Sequence, residues 1–492
     1  MMNLTQASGG SATIFSNILR QSWLALAYRC SGAVVSFLFG VSFARMMNIE
    51  EYGALMSLMT FAIVASTVGL VGQQFRVLRE VPSIAARKGY PEIASNVAER
   101  VRVACLGGIA VTVISLLLFV VAHDRAGIFK SWQYSTSVLL ILPLALIELQ
   151  SSLGRALGSV NLALVTKDVL WRLLIILLGG VLFVTYGRPL QAEEVLVIAT
   201  GLLVVLIPAQ NVYLRRLAEG RKVFTMTVRR PNDRVADIVS SSGPFWVTSV
   251  TSVMGGTVDV VVVSVMVGPE AGGYYYAATR IALLLDFFLA TFCIPAAPLI
   301  ARLFDENRHA EITRVTSGAS LAAFVAVLGC VVALALGGDL ALMTFGSAFT
   351  RAYSVLMVLA VGLLVSTYFG IGAIALSMTG HQRPAMHIVA ITWAVGILTM
   401  IGATWAFGIL GTAVASACIG VATRVWTASY IYAAEGIDIT ATTAFRALVR
   451  RTTRNDTSEP RTEAMRPEAG GTLLHLQPSV QQSGHHVHEP RR

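Results

Sequence analysis

The sequence predicts an all-α, polytopic membrane protein: about twelve transmembrane helices in two six-helix lobes around a central cavity. Three observations lead there. First, the 492 residues are 55% hydrophobic and 13% charged, with a mean hydropathy of +0.69, whereas a soluble chain carries about 25% charged residues. Second, apolar runs of about 20 residues, the length that crosses a bilayer, recur from residue 22 to residue 433. Third, the two halves of that stretch echo each other across a long basic segment. Such numbers exclude collagen-like, disulfide-scaffold and wholly disordered chains.

Taken in order, the spans fall at about 22–46, 53–75, 103–122, 134–156, 162–186 and 194–214, then 242–267, 272–301, 315–337, 352–377, 384–406 and 408–433. Residues 1–21 precede them as a cytoplasmic segment. The lobes are then 22–214 and 242–436, joined by the basic loop 215–241. The first span is expected to stay attached, because Arg29 interrupts its start and no clear small-residue cleavage site follows. From about residue 437 the composition turns Pro-, Thr-, Glu- and Arg-rich, which reads as a disordered basic cytoplasmic tail after a short basic helix at the membrane surface. Its end, GHHVHEPRR, has three histidines, and a solvated tail is the plainer reading than a metal site.

Orientation follows from the basic residues between spans. Loops after the even spans hold about 18, among them Arg76, Arg79, Arg87, Lys88, Arg100, Arg102, Arg155, Arg383 and seven between Arg215 and Arg234, while those after the odd spans hold about five. Both termini are therefore expected in the cytoplasm. The net charge of +10 rests on 37 basic residues and points to orientation and lipid headgroups rather than to nucleic acid. Cys30, Cys105, Cys293, Cys330 and Cys418 all lie in apolar stretches without metal-ligand spacing and read as small buried residues.

The internal echo is short. MNIEEYGAL, between spans 1 and 2, aligns with VGPEAGGYY, between spans 7 and 8, at an offset of 220, so that Glu50 matches Glu270 and Gly53 matches Gly273.

No P-loop, G-x-S-x-G elbow, H-E-x-x-H or nucleotide fingerprint is present. The expectation is a non-enzyme without catalytic residues, cofactor or metal, whose energy comes from a gradient. Charges within spans are costly in hydrocarbon and face a cavity or a partner. Asp259 and Arg280 flank the 7–8 turn, 11 and 10 residues from Glu270, at similar depth: either a fixed ion pair, or a pair lining a cavity and opening during transport. Glu148 and Arg172 have a like relation about the loop after span 4, while Asp168 and Arg172 are i, i+4 neighbours; a structural polar cluster is expected there. Arg29 and Arg424 lack an evident local partner, and either snorkel to the interface or line the inward cavity. Asp286 is a candidate for cation or proton coupling. Gly243-Pro244, Pro143, Pro295 and Pro298 could bend their spans for gating or for packing.

FARMMNIEEYGALMSLMTFAIVASTVGLVGQQFRVLREV (43–81) resembles the start of bacterial polysaccharide-export flippases, at Glu50, Glu51, Tyr52, Gly53, Gly69, Gly72, Arg76 and Arg79. VDVVVVSVMVGPEAGGYYYAATRIALLL (258–285), LALMTFGSAFTRAYSVLMVLAVGLL (340–364) and AFGILGTAVASA (406–417) are similar to the same family. The resemblance covers roughly residues 14–435.

It implies the polysaccharide transporter branch of the multidrug/oligosaccharidyl-lipid/polysaccharide exporter superfamily. Members flip undecaprenyl-diphosphate-linked oligosaccharides across the bacterial inner membrane for exopolysaccharide, capsule or O-antigen synthesis. The implied partners are membrane lipid and the lipid-linked oligosaccharide, with a polysaccharide polymerase and glycosyltransferases as candidate protein partners. Arg29, Arg280 and Arg424 are then substrate-cavity candidates, and Asp259, Asp286, Glu148, Asp168 and Arg172 coupling or ion-pair candidates. Three alternatives stay open: a peptidoglycan-precursor flippase, which tends to have two more spans; a cation-coupled drug exporter, which would favour an acidic cavity; and a non-transporting scaffold of a synthesis complex.

Overall fold

A bilayer leaves a backbone few options, since every amide must be paired within the span. The computed structural model describes residues 31–87, 91–126, 129–157, 165–219 and 235–447, and among these every extended element is a helix. The N-terminal half holds α1 (Ser31–Met46), α2 (Ile49–Gly69), α3 (Gln73–Arg87), α4 (Pro91–Ala126), α5 (Ser131–Ala156), a π-helical segment (Val165–Leu170), α6 (Trp171–Tyr186) and α7 (Ala192–Glu219). The C-terminal half holds α8 (Val235–Met254), α9 (Val258–Met266), α10 (Pro269–Asp305), α11 (His309–Met343), a 3-10 turn (Ser347–Ala352), α12 (Tyr353–Tyr368), α13 (Gly372–Met378) and α14 (Gln382–Glu435). The first part of predicted span 1, the core of the basic loop and the tail beyond residue 447 lie outside the described residues.

Eight of these segments are long and apolar enough to cross a membrane, nine when α8 and α9, bent by 63°, count as one broken span. The 54-residue α14 is two antiparallel limbs: it reverses at Gly408 (φ 61°), and Thr404 and Thr412 on the two limbs share a hydrogen bond of 2.7 Å. Helix fills the twelve predicted spans wherever they are described, apart from breaks at 70–72, 255–257 and 369–371, which is compatible with that count. Outward-facing residues are large and apolar, for instance Leu117, Leu118, Leu336 and Trp405, as hydrocarbon contact requires.

Three predicted spans are broken rather than continuous. Span 2 stops at Gly69; Val71 (φ 49°) and Gly72 (φ 72°) then turn the chain into α3. The left-handed conformation suits Gly72, where a Cβ would also strike the backbone of Phe245 and Trp246. Span 7 breaks at Gly255-Gly256, and span 10 at Gly370 (φ 76°).

The α2 helix lies at the centre. Every residue from Tyr52 to Thr60 is buried, against α4, α5 and α7 on one side and α9 and α10 on the other. The echoed glycines meet here. A Cβ on Gly53 would overlap the Pro269 carbonyl, and one on Gly273 would come within 3.2 Å of the Gly53 Cα. Small residues let backbones approach in a membrane, and Ser57 and Ser264 hydrogen-bond across the same seam. At this end Arg45 donates to the carbonyls of Thr344 (2.8 Å) and Met343 (3.3 Å), the C-terminal end of α11. Glu51 gathers Lys130 (2.7 Å), the Gln133 amide (2.9 Å) and the Ala192 N–H (2.9 Å), fastening three loops of the N-terminal half. The Glu51 carboxylate holds the Lys130 ammonium above its ordinary pKa. At the opposite end Gln73 and Arg76 each donate to the Ser242 hydroxyl at 3.0 Å, and the Trp246 indole donates to the Val68 carbonyl at 3.0 Å.

Candidate functional site

The π-helical segment VTKDVL starts the chemistry. Its wider winding moves backbone pairing from i+4 to i+5, a distortion common at functional sites, and it carries Lys167 and Asp168 just ahead of Arg172. Trp171 anchors the segment, fully packed and donating its indole N–H to the Ala199 carbonyl at 3.0 Å. Arg172 Nη1 donates to the Asp168 carbonyl at 3.0 Å, so their i, i+4 contact runs through the backbone; among the described residues the two side chains form no ion pair.

Glu148 does not pair with Arg172, as the sequence had allowed. Lys167 donates to Glu148 Oε2, and Arg155 Nη2 stands 3.4 Å from Oε1 while donating to Ser152 at 2.8 Å. Arg155 was expected in a loop; it ends α5 instead, and seven residues along a helix return it to the Glu148 face. These side chains are only partly buried, retaining 31% (Lys167, Arg155) and 22% (Glu148) of their surface.

Across the interface, Arg280 lies over the Tyr276 ring with its guanidinium carbon 4.4 Å from the centroid. Among the described residues it has no carboxylate partner, and its buried Nε has no hydrogen bond. Cation–π contact is its compensation. The Tyr52 hydroxyl is likewise buried without a partner, its ring 6.1 Å from that of Tyr276. Arg172 lies within electrostatic range of Asp168, Tyr276 and Arg280, and Lys167 within range of Arg172. The charged groups of this region are four cations, Arg155, Lys167, Arg172 and Arg280, and the carboxylates of Glu148 and Asp168. Arg280 and Asp286 also line a cavity of about 260 Å³ beside Ser36 and Phe37 of α1.

The expected pairing of Asp259 with Arg280 is absent. Residues 276 and 280 share the α10 face turned to Tyr52, whereas 275 and 279 turn to α9. Asp259 is 2% exposed and accepts from the Tyr275 hydroxyl (3.2 Å), the Ser416 hydroxyl (3.2 Å) and the Val260 N–H (3.1 Å). It borders a separate small pocket of about 120 Å³ with Thr279 and Ser366.

Arg424 has partners that its sequence surroundings did not reveal. It lies 3.6 Å from Asp286 and donates to the Gly370 carbonyl at 2.9 Å; the break between α12 and α13 exposes that carbonyl. Arg29 lies outside the described residues. Among the described residues no group of three or more metal-ligating side chains converges. Sequence reasoning missed Lys167, Arg155, Tyr52, Tyr275, Tyr276 and Ser416. Lys167 was the accessible one: the chain has only four lysines, and this one falls inside a predicted span.

Comparison with known proteins gives the following. The sequence model of a family described as "Polysaccharide biosynthesis protein" matches residues 19–304. No curated protein matches by sequence. Among solved structures, the fold is similar to a multidrug resistance MATE family transporter of the MOP superfamily in its inward-facing conformation, with TM-score 0.63 and 14% identity over 87% of this chain and 96% of that one. It is similar to the lipid II flippase MurJ in an inward closed conformation, with TM-score 0.62 and 14% identity over 92% and 94%. An outward-facing MATE structure gives TM-score 0.54 and 16% identity over 85% and 95%. At these identities the likeness establishes the fold.

Proposed function

The chain belongs to the polysaccharide biosynthesis protein family, and from that premise we propose that it flips an undecaprenyl-diphosphate-linked oligosaccharide across the bacterial inner membrane by alternating access. The product feeds exopolysaccharide, capsule or O-antigen synthesis. The carrying observation is Arg280, a half-buried cavity-lining arginine whose Nε is enclosed without a hydrogen bond and which has no carboxylate partner among the described residues, with Arg172 across the interface. Such a cation is expensive in a membrane unless an anion visits it, and a diphosphate is an anion of the right geometry. The polyprenyl tail stays in lipid; only the polar head needs the cavity. Asp259, held on hydroxyls in its own pocket, is the coupling group in this reading. The two halves act as the two lobes, both termini are cytoplasmic, and the Gly53–Gly273 seam closes the outer end.

Deleting the gene and assaying which leaflet retains the lipid-linked intermediate tests the reading. Accumulation in the cytoplasmic leaflet supports it. An unchanged distribution with lost polymer refutes transport, and drug sensitivity with normal polymer points to an exporter.

A further inference from the structure

Among the described residues, the cavity of about 260 Å³ between α1 and α10 has two charged lining residues, Arg280 and Asp286. Left to themselves they would cancel, one cation against one anion in a space otherwise bounded by apolar groups and the Ser36 hydroxyl. Asp286 is claimed from outside the lining instead: Arg424, on the second limb of α14, stands 3.6 Å from its carboxylate. Arg424 is fixed in turn by the Gly370 carbonyl, to which Nη1 donates at 2.9 Å. That carbonyl can accept because the left-handed Gly370 (φ 76°) interrupts the helical pairing between α12 and α13. The turn requires glycine, since a Cβ would strike the Ser320 hydroxyl and the Ile439 carbonyl, which hydrogen-bond to each other at 2.8 Å. Asp286 retains 47% of its side-chain surface and Arg424 27%. A pair so open adds little to stability, and its effect falls on the field inside the cavity.

We propose that Arg424 is a positioning residue for the headgroup site: by taking Asp286 it leaves Arg280 as the uncompensated charge of the cavity. The inference rests on the diphosphate reading above. Asp286 lies six residues past Arg280 on one helix, about 9 Å along its axis. At that range, with an effective dielectric constant of about 20, an unpaired carboxylate would weaken a bound anion about tenfold. It would also compete for the Arg280 guanidinium. With Arg424 in place the three groups sum to one positive charge, and that charge sits at Arg280. Arg424 is not among the lining residues, so it acts through Asp286 and not on the ligand. The Gly370 turn, which holds Arg424, thereby serves a site that it does not touch.

The test uses the full chain in nanodiscs, with inorganic pyrophosphate as probe and calorimetry as readout. The unaltered protein is expected to bind pyrophosphate, and Arg280→Gln to weaken that binding. Arg424→Gln is expected to weaken pyrophosphate about tenfold and Asp286→Asn to tighten it. Combining the two should return the affinity to within about threefold of the unaltered protein. A merely structural Arg424, or one that contacts the anion itself, would leave the double variant weaker than the unaltered protein. Failure of that rescue overturns the proposal, as does an unchanged pyrophosphate affinity in Arg424→Gln. Should Arg424→Gln not fold, Asp286→Asn alone decides: tighter binding supports the proposal, and unchanged or weaker binding overturns it. Pyrophosphate binding that is absent, or indifferent to Arg280→Gln, instead overturns the diphosphate reading, and this one with it.

Discussion

The two halves of the molecule match where they touch and differ in how they hold their buried charges. At the seam, Gly53 and Gly273 occupy equivalent places in the echo and lie against each other. Away from it, the N-terminal half keeps its charges in company: Glu148 with Lys167 and Arg155, and Arg172 on the Asp168 backbone. The C-terminal half separates Arg280 on an aromatic face from Asp259 on hydroxyls. Charge sharing ties the N-terminal cluster together, whereas under the proposed function charge isolation leaves Arg280 to meet a ligand.

The largest effect should come from breaking that asymmetry at its isolated member. Arg280→Ala is expected to slow leaflet transfer of the lipid-linked intermediate about 100-fold, equivalent to about 2.7 kcal/mol, with little loss of thermal stability because no carboxylate is left unpaired. Lost stability with normal transfer would make Arg280 a packing residue. Gly53→Val attacks the shared surface instead and is expected to cost about 1–3 kcal/mol through overpacking. The same change at Gly180, where a Cβ would meet nothing within 4 Å, should lie within about 0.5 kcal/mol. Denaturation in detergent compares the pair, and equal effects would remove the seam from the argument.

The smallest effect concerns a carboxylate on hydroxyls outside the spans, a control for Asp259. Burial alone would raise the Asp438 pKa, but the Thr443 hydroxyl, the Thr440 N–H and hydroxyl, and Arg446 together hold it below the usual value. A depressed folded pKa gives stability that is present above the unfolded value, about 3.9, and is lost as pH falls through the folded one. Asp438→Asn should therefore cost less than about 1 kcal/mol at neutral pH, given its solvent screening, and the gap should close in acid. A gap that widens on acidification would reverse the sign of the argument.

Helix positions were legible because periodic apolar length is written directly into the chain, and Asp286 and Arg424 were visible as costly intramembrane charges. Their pairing was not, because it depends on α10 lying beside the second limb of α14, a tertiary fact. The Asp259–Arg280 expectation failed on rotation: depth follows from counting residues, but which neighbour a side chain meets follows from how α10 is turned. The Glu148 partner was obscured because equal spacing about the loop after span 4 pointed to Arg172, whereas Lys167, five residues nearer that loop, is the cation that meets Glu148. Tyr52 and Tyr276 carry no sequence sign of lying beside a cation.

The contact between Gly53 and Gly273 has a mechanical consequence. Equivalent points of a twofold repeat can touch only on the axis that relates them, so the proposed rocking of the halves would have its pivot at this contact. A pair without side chains there makes a fulcrum with nothing to jam it. Across a hydrocarbon thickness of about 30 Å, a tilt of about 10° about such a point displaces the far end by about 5 Å, so in the proposed alternating access a small rotation at the seam would be geared into a passage at the opposite face.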